Sequence, residues 1–194
     1  MKIFIDGSAG TTGLRIKDRL MKRSDVELIT LSEEQRKDTE SRKQALNSAQ
    51  VAFLCLPDAA AVEAVELVEN PDTVIIDTST AHRTSEGWAY GFPELSAEFE
   101  DTIKNSKRIA VPGCHAGGFI ALVYPLVEAG VLGNDALLSC YSLTGYSGGG
   151  KKMIAEYESE DKSPLLFAPR QYGLTQQHKH LKEMKGITLS LIHI

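Results

Sequence analysis

The sequence predicts an α/β fold: a doubly wound parallel sheet followed by an incomplete second α+β domain. Three observations carry this. Short apolar runs alternate with helix-compatible stretches across residues 2–80, the rhythm of a parallel sheet with helices on both faces. One of those runs, VAFLCL at 51–56, is apolar throughout, as expected of a strand covered on both sides, and TVIIDTST at 73–80 reads as another buried strand. The glycine-rich segment GSAGTTG (7–13) follows the first run directly and opens a helical pattern, the layout of a βαβ unit that holds a dinucleotide.

Taken in order, KIFID (2–6) makes the first strand. LRIKDRLMKR (14–23) then has helical spacing at Leu14, Ile16, Leu20 and Met21. VELITL (26–31) is the second strand, and 33–48 form a polar helix. After the strand at 51–56, residues 58–70 read as an Ala-rich helix with apolar positions at Ala61, Val62, Val65 and Val68, stopped by Pro71. The strand at 73–80 follows. Beyond residue 90 the rhythm changes: a loop and a short helix lead to one more strand at 108–111, and 114–128 form a long apolar helix. From 135, LLSCYSLTGYSGGG reads as an alternating strand ending in a glycine cluster, then a polar helix at 151–160 and a Pro-containing loop. The expected domains are 1–132, which binds the dinucleotide and carries the cysteine loop, and 133–194, a partial catalytic and dimerisation domain too poor in apolar positions to be stable alone.

Composition narrows the function classes. The 194 residues are 42% hydrophobic, enough for a core, and the net charge of −5 lacks the basic stripe of a nucleic-acid binder. The longest apolar run, 119–127, falls short of the ~20 residues of a membrane span, and MKIFIDGSAG has no signal-peptide pattern. Cys55, Cys114 and Cys140 form no CxxC pair, metal set or disulfide framework. The expectation is a cytoplasmic protein with no metal, membrane or nucleic-acid partner.

Four stretches carry the chemistry. In GSAGTTG, Gly7 permits the tight turn, Gly10 the approach of a pyrophosphate and Gly13 close helix packing. Ser8, Ala9, Thr11 and Thr12 complete a loop whose helix N-terminus offers free N–H groups to phosphate, a Rossmann-type arrangement. The end of the second strand, LSEEQRKD, chooses between nicotinamide dinucleotides. Ser32 and Arg36, with Lys37, suit a 2′-phosphate and point to NADP, against Glu33 and Glu34; Ser32 serves equally well as a helix N-cap. In VPGCHAGG, Pro112 and Gly113 break a strand and a helix begins at Cys114. A thiol at a helix N-terminus ionises more readily than a buried one, so Cys114 is the candidate nucleophile while Cys55 and Cys140 read as small core residues. The partner base lies among His82, His115, His178, His180 and His193. His115 would point away from its neighbour on a helix, and His178 and His180 would share a side only in an extended segment. SGGGK (147–151) is an anion nest or a plain turn, and Arg83, after a strand end, is an anion contact or a surface arginine.

Together these residues resemble N-acetyl-γ-glutamyl-phosphate reductases of the shorter type. The stretches are FIDGSAGTTGLRI, AFLCLPDAAA, IDTSTAHRT, YGFPEL, VPGCHAGGFIALVYPLV, TGYSGGGKKMI and QYGLTQQHKH, in family order over most of the chain. The resemblance implies an enzyme of arginine biosynthesis in which NADPH reduces an acyl phosphate to a semialdehyde and phosphate leaves. It makes Cys114 the nucleophile that forms a thioester and His178 the general acid/base. Tyr172, His180 and Arg83 become substrate contacts, and Pro57, Ser147 and Gly148 line the cofactor. It also implies a homo-oligomer formed through the second domain. Two other readings stand beside it: a reductase of another acyl phosphate, like the related aspartate-semialdehyde dehydrogenases, and an NADP-binding module without catalysis. Members of the family continue past the last residue here, and the tail LSLIHI departs from their pattern, so a C-terminally shortened frame is expected.

Overall fold

The computed structural model of the chain describes residues 1–133, 135–171 and 173–188. Its centre is a six-stranded sheet in the order β2-β1-β3-β4-β6-β5, and every pairing is parallel. The strands are β1 (Lys2–Asp6), β2 (Glu27–Ile29), β3 (Val51–Leu54), β4 (Val74–Asp77), β5 (Ala89–Tyr90) and β6 (Arg108–Ala110). Register is fixed by pairs such as Ile3 with Leu28 on one side and with Val51 on the other. The chain steps outward from β1 to β2 and returns to the far side of β1 as β3. That reversal is the topological switch point beside which ligands bind in such sheets. Because the sheet is parallel, the loops leaving β1, β3, β4 and β6 all emerge along one edge.

Helices α1 (Thr11–Leu20), α2 (Thr39–Ser48), α3 (Asp58–Glu66) and α4 (Ala97–Asn105) cover the sheet, and α5 (Cys114–Glu128) follows β6. Phe4, Ala52, Leu54 and Ile75 of the strands pack with Ala45, Leu46, Ala61 and Ala64 of α2 and α3 in one core. The helix expected from residue 33 starts only at Thr39. Asp38 caps it, accepting from the Ser41 N–H at 2.7 Å, and Ser32 organises a separate turn before it. In β3 and β4 burial alternates instead of being continuous, because the opposite face is thinly covered: α1 buries only Gly13.

A second core joins Phe119, Ile120 and Val123 of α5 to Tyr90 of β5 and to Met184 of a helix the sequence did not suggest. The remaining helices are α6 (Gly150–Glu158) and that one, α7 (Lys179–Thr188). The alternating stretch after residue 135 is not a strand: the described residues of 135–145 join no ladder. Alternation shows a face but supplies no neighbour, and here Leu137, Tyr141 and Leu143 stand in solvent. Strand β5 escaped prediction because two residues are too few to show a period. Among the described residues no helix is long and apolar enough to cross a membrane.

Candidate active site

The first wall of the site is the turn from β1 into α1. Gly7 has φ +81°, and a Cβ there would lie 2.3 Å from the carbonyl oxygen of Cys55 at the end of β3. A Cβ on Gly13 would lie 2.5 Å from the Gly7 carbonyl oxygen. The loop must therefore be glycine at both positions. Gly10 caps α1 without a side-chain bond, and its N–H donates to the Gly7 carbonyl (2.9 Å). Ser8, Ala9, Thr11 and Thr12 surround an uncapped helix start facing the switch point, a cradle that fits a pyrophosphate.

A groove beside it is lined by Asp6, Gly7, Ser8, Lys17, Thr30 and Arg36. Ser32 closes a turn in which its N–H donates to Gln35 Oε1 (2.9 Å) and its Oγ accepts from the Gln35 N–H (3.3 Å). It caps no helix, since the N-cap of α2 is Asp38, and Arg36 lies beside the groove with Nε bonded to the Leu31 carbonyl (3.2 Å). Sequence reasoning missed Arg42, which reaches from α2 to the buried Asp6 carboxylate at 2.9 Å. Pro57 is the N-cap of α3. Asp58 behind it accepts from the N–H and Oγ1 of Thr80 (2.9 and 2.7 Å) and pairs with Lys179. Burial opposes its charge, but Lys179 and Thr80 outweigh it and bring its pKa down to about 2.

Across the same edge, β6 ends and α5 begins at Cys114, which is exposed. Gly113 provides no side-chain cap and the first turn of α5 has no acidic residue, so the helix's own sequence leaves its positive end uncompensated. Gly113 is also closely held: a Cβ would lie 2.4 Å from His180 Nε2 and 2.5 Å from Arg83 Nη1. Cys55 is the contrast, with burial pushing its thiol up to about 11.

Arg83 points inward. Its Nε donates to the Val111 carbonyl (2.9 Å), Nη2 to the Thr78 carbonyl (3.1 Å) and Nη1 to Glu183 Oε2 (2.9 Å), leaving the residue 9% exposed. Of the two readings the sequence left open, an anion contact or a surface arginine, the buried guanidinium excludes the second, and it fastens two loops together. Glu183, Tyr90 and the Asp77–His82 pair (2.7 Å) were not foreseen. The one legible signal for Glu183 is its position three residues after His180, but a lone glutamate on a charged helix gives no sign of burial.

Helix α7 brings the histidines together. The His178 and His180 rings are 4.5 Å apart, and His115 lies 6.1 and 5.8 Å from them. His115 also bonds Ser142 Oγ through Nδ1 (2.7 Å), and the docking of α7 against α5 gives it its two histidine neighbours. His178 is half-buried just ahead of α7, and burial, then His115 and Lys179, lower its pKa. His180 is buried and held down to about 4 by burial, with His178, Arg83 and His115 adding to it. Ser147 and Gly148 lie in an exposed turn (Tyr146–Gly149) leading into α6. Tyr172, His193 and the LSLIHI tail lie outside the described residues.

The arrangement is matched by known proteins. Residues 2–104 match the semialdehyde dehydrogenase NAD binding domain, and residues 114–191 the semialdehyde dehydrogenase dimerisation domain. The chain belongs to the semialdehyde dehydrogenase family. It is 52% identical over 184 residues to an N-acetyl-gamma-glutamyl-phosphate reductase of Chelativorans sp. (strain BNC1), covering 95% of this chain and 59% of that protein. It is 49% identical over 185 residues to the same-named protein of Mesorhizobium japonicum, again with 59% of the relative covered. The chain thus spans about three-fifths of the length of the curated relatives it matches. Aspartate semialdehyde dehydrogenase II of Vibrio cholerae superposes with a TM-score of 0.62 at 14% identity, over 99% of this chain and 68% of that one. As in other semialdehyde dehydrogenases, a dinucleotide-binding sheet is followed by sequence of a dimerisation domain.

Proposed function

We propose that the protein carrying this chain is an NADP-dependent N-acetyl-γ-glutamyl-phosphate reductase acting through a cysteine thioester. The observation that carries this reading is Cys114: an exposed thiol at the uncapped start of α5, on the sheet edge that also holds the glycine cradle. The close similarity to proteins of that name supports the substrate assignment. The cofactor would be held by residues 7–13 at its pyrophosphate, by Ser32 and Arg36 at a 2′-phosphate, and by Pro57, Ser147 and Gly148 nearer the nicotinamide. Bound there, it would supply the hydride for the reduction.

The chain's own residues do the rest. The Cys114 thiolate attacks the acyl carbon, a C–S bond forms and phosphate leaves with the C–O bonding pair. The dipole of α5 stabilises negative charge at that end. Its lowered pKa keeps His178 neutral at neutral pH, able to take the thiol proton and later return it to the oxygen of the reduced adduct. Collapse of that adduct, with its hydroxyl proton passing back to His178, releases the aldehyde and the thiolate. His180 and Tyr172 complete the proposed substrate pocket, with Arg83 supporting its wall. Free cysteines suit a reducing cytoplasm. The apolar side chains exposed between residues 131 and 174 suit burial in a homo-oligomer formed by the part of the chain after residue 132.

The test is phosphate-dependent reduction of NADP by N-acetylglutamate semialdehyde. Turnover that Cys114→Ser abolishes, with dinucleotide binding retained, is the expected result. Turnover surviving in Cys114→Ser refutes the mechanism, and dinucleotide binding without turnover in the unmutated whole protein would make it a binding module.

A further inference from the structure

We infer that Glu183 is a positioning residue: its carboxylate ties α7 to the turn ahead of Cys114 and so sets the nucleophile relative to His178. The inference rests on the catalytic reading above. Glu183 is 3% exposed and receives three hydrogen bonds from three separate parts of the fold. Tyr90 Oη of β5 donates to Oε1 at 2.7 Å, the Gly113 N–H donates to the same oxygen at 2.8 Å, and Arg83 Nη1 donates to Oε2 at 2.9 Å. Arg83 in turn holds the carbonyls of Val111 and Thr78, so the loops after β4 and β6 are tied through one guanidinium to one carboxylate.

The contact leaves no slack. His180 and Glu183 are three apart on α7 and therefore share a face. His180 Nε2 occupies the space a Gly113 side chain would need, while Glu183 takes the Gly113 N–H. A shift of α7 must move Gly113, and with it the first residue of α5. His178 sits immediately before α7, and Lys179 fastens the start of that helix to Asp58 on α3. Helix α7 is thus fixed at both ends of the site: by Asp58 beside His178 and by Gly113 beside Cys114.

Holding α7 against α5 does not require a carboxylate. Met184 and its apolar neighbours already do so, and burying a charge is costly where an apolar residue would pack. What Glu183 adds is direction, because an N–H, a phenol and a guanidinium must all converge on two oxygens. Burial, then the Glu183 carboxylate, raise the Tyr90 pKa, which keeps the phenol protonated as a donor.

Glu183→Gln and Tyr90→Phe in the whole protein, assayed per folded active site beside Cys114→Ser, test this. Misplacement of a reacting group by about 1 Å can cost about 100-fold in rate. Glu183→Gln is therefore expected to lower kcat by about that factor, with KM for the acyl phosphate and Kd for NADP within about threefold of wild type. Tyr90→Phe, which removes one of the three donors, is expected to lower kcat by about tenfold with the same constancy. Folded Glu183→Gln with wild-type kcat, while Cys114→Ser is inactive, overturns the inference alone. If Glu183→Gln does not fold, Tyr90→Phe decides by the same split, wild-type kcat overturning it. Turnover persisting in Cys114→Ser overturns the catalytic reading and the inference with it.

Discussion

Acid should loosen this protein through His180. The ring is 8% exposed, and its Nδ1 is buried with no hydrogen-bond partner among the described residues. Burial first, and then the positive charge of His178, Arg83 and His115, lower its pKa from the ordinary 6.5 to about 4. The folded protein therefore binds this proton less tightly than the unfolded chain, and protonation favours unfolding. The stability at stake is intact above 6.5 and is lost progressively as pH falls towards about 4. A gap of this size corresponds to about 3 kcal/mol when complete, of which about 2 kcal/mol falls between about pH 7 and about pH 5. Urea unfolding of wild type and His180→Leu at both pH values isolates the contribution, because other groups titrate alike in the two proteins. The wild type should lose about 2 kcal/mol more than the variant over that interval. Equal losses in the two proteins would show that His180 does not carry the acid sensitivity.

Three further outcomes are expected. Iodoacetamide at mildly alkaline pH should label Cys114 well before Cys55, whose thiol burial pushes up to about 11; mass spectrometry of the labelled peptides reads the order, and preferential labelling of Cys55 would contradict it. Gly7→Ala places a Cβ 2.3 Å from the Cys55 carbonyl at φ +81°, so it should abolish measurable NADP binding in calorimetry and lower stability by about 1–3 kcal/mol. Asp58→Asn should flatten the acid limb of the stability curve. The depressed carboxylate of Asp58 contributes above its ordinary 3.8 and loses that contribution as pH falls towards about 2, so an unchanged limb would remove the Lys179 tether from the account.

The sequence by itself determined the parallel sheet, the dinucleotide turn and the cysteine at a helix start. Each is written in local chemistry. Strand and helix periods repeat within a few residues, Gly7 is required by its own φ of +81° and Gly13 by the nearby Gly7 carbonyl, and Pro112-Gly113 ends β6 where α5 must begin. Ser32 bonds locally as its chemistry suggests, to Gln35 three residues on, but it closes a turn, and Asp38 caps the helix that follows. Tertiary structure decided what depends on distant neighbours. Residues 137–145 have a strand's alternation but no ladder, because pairing needs a second strand that a period cannot supply. Arg83 turned inward and Glu183 gathered its three donors through contacts that local sequence does not show, the pair itself lying 100 residues apart in the chain. Burial and convergence of charges arise only when α7 docks on α5, and that docking is also what gathers His115, His178 and His180 beside α5.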